Sequence, residues 1–154
     1  MNAFTLFHVA LSLVGIVSGL VVVFGMLGAK RMDGVTAIFL VTTTLTSVTG
    51  FFFPFEKLLP SHIVGITSLV VLTVTLIARY ARHLEGVWRW IYVVTAMIAL
   101  WFNCFVLVVQ MFLKVPALHE LAPKGSEPPF AIAQLILLLT MIVLTTFSVK
   151  RFRI

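Results

Sequence analysis

Five long stretches of the sequence contain no charged residue, and each is mostly apolar: 1–29, 34–55, 58–78, 90–113 and 128–149. An α-helix rises 1.5 Å per residue, so about 20 apolar residues are enough to cross the roughly 30 Å hydrocarbon core of a bilayer. With 61% hydrophobic residues, 10% charged residues and a mean hydropathy of +1.16, the chain has too few polar residues for a water-soluble globule. The sequence therefore predicts an integral membrane protein.

The fold class that we predict is all-α, an integral membrane bundle of five transmembrane helices in one domain over residues 1–154. Unbroken apolarity argues against a β-barrel, whose strands alternate between apolar and polar residues. The predicted helices lie near 3–28, 35–55, 61–79, 88–113 and 130–149, and residues 114–129 form an outer loop. Prolines prevent a regular helix through this loop, although ALHEL, between Pro116 and Pro123, can form one short turn.

The distribution of charge predicts the orientation of the bundle. One side, with the first loop, the third loop and the C-terminus, carries eight Lys and Arg residues and two acids, whereas the other side carries three of each kind. Because Lys and Arg are enriched in cytoplasmic loops, we expect the N-terminus outside and the C-terminus in the cytoplasm. The expected partner is then the lipid bilayer, and no nucleic acid is needed to explain the basic charge. Trp88, Trp90 and Tyr92 are expected at the membrane interface.

Small and polar residues recur on single faces of the predicted helices. The first helix carries a stripe made of His8, Ser12, Gly15 and Gly19. Its G-x-x-x-G step lets another helix approach closely, so we expect His8 to point into the bundle. An unpaired amide in hydrocarbon costs several kcal/mol, and the polar intramembrane residues should therefore face protein. These residues are Asn103, Gln110 and Gln134.

Three histidines fall on the predicted outer side, namely His8, His62 and His119. One interpretation is a cofactor site in which His8 and His62 ligate haem b or contact a quinone, since imidazole pairs hold haem in membrane bundles. Another is a transition-metal site formed by His62, His119 and Glu120. No diagnostic spacing accompanies these residues. Hydrogen bonds from the histidines to head groups, water or amide side chains are the simpler interpretation.

The functional prediction follows from many packing surfaces and few reactive groups. No charged residue lies deep in a predicted span, and no enzyme motif is present. We expect a non-enzymatic accessory or assembly subunit, forming a homo-oligomer or part of a larger membrane complex. The alternatives are a haem- or quinone-binding redox protein and a small-solute channel or transporter. A channel would follow the hydroxyl-bearing face of the second helix, with Thr42, Thr46 and Thr49.

Two segments, GFFFPFEKLLPSHIVGITSLVVL and KVPALHELAPKGSEPPFAIAQL, resemble those of a small uncharacterised multi-pass bacterial inner-membrane protein family. The resemblance extends over much of the chain from residue 35 onward. Its motifs carry no catalytic or ligand residue. What it implies is a bacterial origin and a multi-pass location in the bacterial cytoplasmic (inner) membrane.

Overall fold

The computed structural model describes residues 3–52, 60–125 and 127–152, and of residues 60–62 only the backbone. Over these ranges the chain is all-helical and contains no strand. The helices are α1 (Ala3–Leu27), α2 (Asp33–Gly50), α3 (Pro60–Leu76), α4 (Trp88–Lys114), α5 (Pro116–Leu121) and α6 (Pro128–Arg151). A π-helical turn, Ile77–Ala81, continues α3 without a break. The short helix α5 occupies the position where ALHEL predicted one turn.

Four helices in the described part of the chain are long and apolar enough to cross a membrane: α1, the stretch Ile63–Ala81, α4 and α6. The remaining long helix, α2, is less apolar because it begins with Asp33 and because seven of its 18 residues are Thr or Ser. It ends at Gly50, before the predicted boundary at residue 55, and residues 53–59 lie outside the described ranges. Gly50 and the nearby Pro54 both disfavour continuation of a helix. The fifth span therefore stays a prediction.

The central helix is α4, which contacts α1, α2, α3 and α6. Most of its buried residues come from its first half, between Tyr92 and Leu100. They pack against the end of α1, the beginning of α2 and the end of α3, and the main buried partners there are Val22, Val23, Met26, Phe39, Leu40, Leu72 and Ala78. The apolar core thus fills one half of the bundle. We call its outer limit, formed by residues 28–32, residues 82–87 and the end of α6, the basic end.

Glycines on α1 allow close helix contacts beside this core. A Cβ atom at Gly19 would lie 2.7 Å from Leu100 Cδ1 and 2.9 Å from Phe39 Cε1. One turn earlier, a Cβ atom at Gly15 would lie 3.1 Å from Thr43 Oγ1. The glycine stripe therefore places α1 directly against both α2 and α4, as the G-x-x-x-G pattern predicts.

A buried arginine connects three helices at the basic end. The side chain of Arg79, in the π-helical turn, is 1% exposed, and its Nη2 donates to the Asp33 carboxylate and to the Arg31 carbonyl oxygen. Its guanidinium carbon lies 5.1 Å from the centre of the Tyr92 ring. Tyr92 is fully buried because it also packs on Phe152, with ring centres 5.9 Å apart. The Tyr92 ring is thus enclosed between helices and does not face the membrane surface, while its depth in the membrane stays a prediction.

A second arginine at the basic end donates hydrogen bonds to backbone carbonyl oxygens at the end of α6. Arg89 Nη1 donates to the carbonyl oxygens of Val149, at 2.9 Å, and Phe152, at 2.6 Å. The last carbonyls of a helix have no partner within the helix, so this contact supplies one. Arginines that the sequence suggested only as topology signals therefore also hold helices together.

Candidate functional site

A cavity of about 550 Å³ lies between α1, α2, α3 and α4, in the half of the bundle away from the core. It is at the end where α1 and α3 begin and where α2 and α4 finish, which we call the cavity end. Small-molecule sites in proteins commonly measure roughly 300–1,000 Å³, so the cavity has the size of a ligand site. Its apolar walls include Val9, Leu13, Phe51, Val64, Phe102, Val106, Leu107 and Met111.

Polar side chains from all four helices also line the cavity. No Asp or Glu of the described residues is among them. The polar lining consists of Thr5, His8, Ser12, Thr46, Ser47, Ser68, Asn103, Gln110 and Lys114. Apolar walls with a few converging polar groups are typical of sites that bind and orient a small molecule.

Most hydroxyl groups of the lining use their protons inside the protein. Ser12 Oγ and Thr46 Oγ1 donate to backbone carbonyl oxygens of the preceding turn, at 2.8 and 2.7 Å. Ser47 Oγ donates to Ser68 Oγ across the α2–α3 contact, at 3.3 Å. Because a hydroxyl has one proton, these groups present acceptor lone pairs rather than donors to the cavity.

His8 joins α1 to α2 beside the cavity. Its Nδ1 lies 2.7 Å from Thr49 Oγ1, and Thr49 Oγ1 itself donates to the carbonyl oxygen of Leu45 at 2.7 Å. Since the threonine proton is used in that bond, the hydrogen-bond network assigns the donor role to His8 Nδ1. His8 therefore points into the bundle, and its side chain fixes the start of α1 against the end of α2.

The three polar intramembrane residues occupy different environments. Asn103 Nδ2 lies 3.5 Å from Thr43 Oγ1 on α2, which makes a long hydrogen bond between helices. Gln134 on α6 donates to the carbonyl oxygen of Phe105 on α4 at 3.2 Å. Gln110 lines the cavity, and its amide has no hydrogen-bond partner among the described residues. Its hydrogen-bonding groups are thus available within the cavity.

The predicted cofactor and metal residues all lie at the cavity end, and both predicted sites depend on His62. His62 is in the first turn of α3, and its side chain is outside what the structure describes. His119 Nδ1 donates to the Phe112 carbonyl oxygen at 3.3 Å, and Glu120 is exposed on α5. Among the described side chains, no group of three His, Cys, Asp or Glu residues could hold a metal ion. Haem ligation by His8 and His62, and a metal site with His62, His119 and Glu120, stay predictions.

One lining residue that the sequence analysis did not select as a site residue is Lys114. It is exposed at the mouth of the cavity and forms no ion pair with any described residue. A signal was present in the sequence, since Asn103, Gln110 and Lys114 follow one another at i, i+7 and i+11. This spacing places all three on one face of a helix.

The four apolar helices are compatible with a multi-pass α-helical membrane protein, here with a cavity of ligand size between its helices. No protein-family model, curated protein or solved structure matches the chain. The resemblance to bacterial inner-membrane proteins stays a sequence-based prediction. Function is inferred below from the geometry of the cavity and from the distribution of charge.

Proposed function

We propose that the protein is a non-enzymatic, five-span membrane protein that binds a small molecule in the cavity between α1, α2, α3 and α4. The observation that carries this proposal is the cavity itself, because it combines the volume of a ligand site with polar groups from four helices. If the helices served only to pack against one another, we would expect close helix contacts, such as those at Gly15 and Gly19, along their full length. A cavity between four helices departs from that expectation.

The fifth span in this proposal is α2. It contacts α1 at both ends of the bundle: Met32, just before α2, touches Gly25 at the basic end, and Thr49 bonds to His8 at the cavity end. A helix that runs beside α1 from Gly25 to His8 is long enough to cross most of the hydrocarbon core. Its lower apolarity is tolerated because three of its six Thr hydroxyls, those of Thr42, Thr46 and Thr49, donate to the carbonyl oxygen four residues earlier.

The proposed orientation puts the N-terminus outside and the C-terminus in the cytoplasm. Among the described residues, the cavity end has Lys114 and Lys124, whereas the other Lys and Arg residues are grouped at the basic end: Lys30, Arg31, Arg79, Arg82, Arg89, Lys150 and Arg151. This asymmetry follows the positive-inside rule. Fusions of alkaline phosphatase and of a fluorescent protein to each terminus test it. Five spans require opposite compartments, and both termini in one compartment would refute the proposal.

Filling the cavity tests ligand binding. Val106 lines the cavity, whereas Val143 lies on α6 outside it and is 51% exposed. We expect wild-type protein and Val143→Trp to retain a co-purifying small molecule, detected by mass spectrometry of an organic extract. Val106→Trp should lose it, because the indole ring occupies the space. A wild-type extract that contains nothing beyond bulk lipid, or a bound molecule that persists in Val106→Trp, would contradict this role.

An accessory or assembly subunit is the biological setting that we propose for such a binding protein. The supporting observation is α6, in which only Met141 and Ser148 are buried. Its remaining apolar surface is suited to contact with lipid or with a helix of another subunit. Purification in mild detergent tests this setting. A strictly monomeric protein without a co-purifying partner would argue against it and would leave the ligand site unaffected.

A further inference from the structure

Two of the donors available to a ligand, those of Gln110 and Lys114, lie close together in the cavity; the Ser68 hydroxyl and the second amide proton of Asn103 are others. The hydroxyl protons of Ser12, Thr46 and Ser47 are already used within the protein. The amide of Gln110 and the ammonium of Lys114, by contrast, have no partner among the described residues. These two residues are four positions apart, so they lie one above the other on the same face of α4.

The positive charge of Lys114 favours a ligand group that is a negatively charged hydrogen-bond acceptor. Lys114 is the one charged residue among the described residues of the lining, and no described Asp or Glu lies there to balance it. Hydrogen bonds from an ammonium to a carboxylate or phosphate oxygen are shorter and stronger than bonds between neutral groups.

The rest of the cavity is suited to an apolar chain. Lys114 and Asn103 are eleven residues apart on α4, which corresponds to roughly 16 Å along the helix axis. Between these two positions, Val106 and Leu107 line the cavity, and Val9 and Leu13 face it from α1. The lining thus has a positively charged residue at one end and an interior that is mostly apolar, with the polar side chains of Ser12, Thr46, Ser47, Ser68 and Asn103 among its apolar residues.

We propose that the cavity holds an amphiphile with an anionic oxygen head group, a carboxylate or a phosphate. Its head is bound by Lys114 and Gln110, and its chain lies between α1 and α4 in the direction of Asn103. This inference rests on the proposed function, because it names the ligand class of the same cavity. A free fatty acid and an anionic phospholipid share this chemistry, and the experiment below distinguishes the two sources.

Three probes with the same twelve-carbon chain isolate the effect of the head group: dodecanoate, dodecanol and dodecylammonium. Binding is measured by calorimetry on the full chain in phosphatidylcholine nanodiscs, with empty nanodiscs as the reference. We expect dodecanoate to bind about tenfold more tightly than dodecanol, because it alone forms charge-assisted bonds. Dodecylammonium should give no signal above the reference. Didecanoyl phosphatidylglycerol is the fourth probe, and specific binding of this lipid in place of dodecanoate would identify a phospholipid as the source.

Substitutions of Lys114 test whether this residue causes the preference for dodecanoate over dodecanol. Lys114→Gln should weaken dodecanoate binding about tenfold and leave dodecanol binding unchanged. Lys114→Arg should retain dodecanoate binding, because the positive charge is kept. The matched control is Lys124→Gln, because Lys124 is exposed and does not line the cavity. For a phospholipid ligand, the same dependence on Lys114 is expected with phosphatidylglycerol.

The possible failures differ for the two proposals. If dodecanoate and dodecanol bind equally and Val106→Trp abolishes both, the cavity is a binding site but the inferred head group is wrong. Unchanged binding of the anionic probe by Lys114→Gln also overturns the inferred head group. If none of the four probes binds to the wild-type protein above the reference, the inferred ligand class is wrong, and loss or retention of the co-purifying molecule in Val106→Trp then decides whether the cavity binds a different small molecule.

Discussion

The close contact of α1 with α2 and α4 predicts that adding one methyl group at Gly19 destabilises the bundle. A Cβ atom there would lie 2.7 Å from Leu100 Cδ1 and 2.9 Å from Phe39 Cε1. Carbon atoms in van der Waals contact are about 3.5–4.0 Å apart, so the neighbours must move by several tenths of an ångström or more. Leu100 and Phe39 are each only 1% exposed and belong to the apolar core, so their side chains can shift only by displacing packed neighbours.

The change in stability caused by Gly19→Ala is the sum of two opposing effects. Replacing Gly by Ala inside a helix stabilises it by up to about 1 kcal/mol, whereas an extra methyl group in a well-packed interior costs about 1–3 kcal/mol. Gly34 is a matched control because a Cβ atom there meets nothing within 4 Å. Gly34 is the second residue of α2, so its helix-propensity gain is smaller than that of Gly19 in the interior of α1, and this difference offsets up to about 1 kcal/mol of the packing cost. We therefore expect Gly19→Ala to be less stable than Gly34→Ala by up to about 2 kcal/mol.

Equilibrium unfolding measures this difference. Each variant is titrated from a mild detergent into SDS, and the free energy of unfolding is obtained from the loss of helical circular dichroism. We expect Gly34→Ala to unfold at the wild-type SDS fraction or slightly above it, and Gly19→Ala to unfold clearly below it. Equal midpoints, or a more stable Gly19→Ala, would refute the close packing of α1 described here.

Two further predictions concern polar contacts between helices and use the same titration. Asp33→Asn removes the charged partner of the buried Arg79 guanidinium and should lower the free energy of unfolding, because that guanidinium then lacks a counter-charge; a difference from wild type that does not shrink in high salt would argue against an ion-pair effect. Gln134→Leu should change the free energy of unfolding by less than about 1 kcal/mol, because two effects oppose each other. The hydrogen bond to Phe105 is lost, but a buried amide oxygen without a described partner is also removed. A loss above about 2 kcal/mol would show that Gln134 has a larger structural role.

The helical segments could be predicted because each is specified by its own residues. Uninterrupted apolar runs give the helices, and the charged residues between them give the connections. The contacts of Gly15 and Gly19 were likewise encoded in one helix, since a stripe of glycines can be recognised without knowing which helix packs against it. The end of α2 at Gly50 was harder to predict, because Phe51 and Phe52, which follow it, are apolar and yet lie in a turn.

The cavity could not be predicted because it depends on the depth and order of four helices. The sequence shows that Gln110 and Lys114 share a face of α4, but not that Ser68 and His8 lie across from that face. The burial of Arg79 was missed for a related reason. Charge counting treats it as a cytoplasmic signal, whereas the π-helical turn and the Asp33 carboxylate hold it inside the bundle.

The two ends of the bundle differ in what occupies the space between the helices, and this difference determines how a ligand can reach the cavity. At the basic end, Arg79 and Arg89 join helices across a continuous apolar core. At the cavity end, the cross-helix contacts are bonds between neutral groups, such as those of His8 and Ser47, arranged around the cavity. In the proposed orientation, with the N-terminus outside, the core would lie between the cavity and the cytoplasm. Because passage through that core would require separating packed helices and buried charges, a ligand of the proposed site would enter and leave at the outer side, where Lys114 would lie. The proposed site is therefore better suited to holding a molecule at the outer half of the membrane than to moving it across.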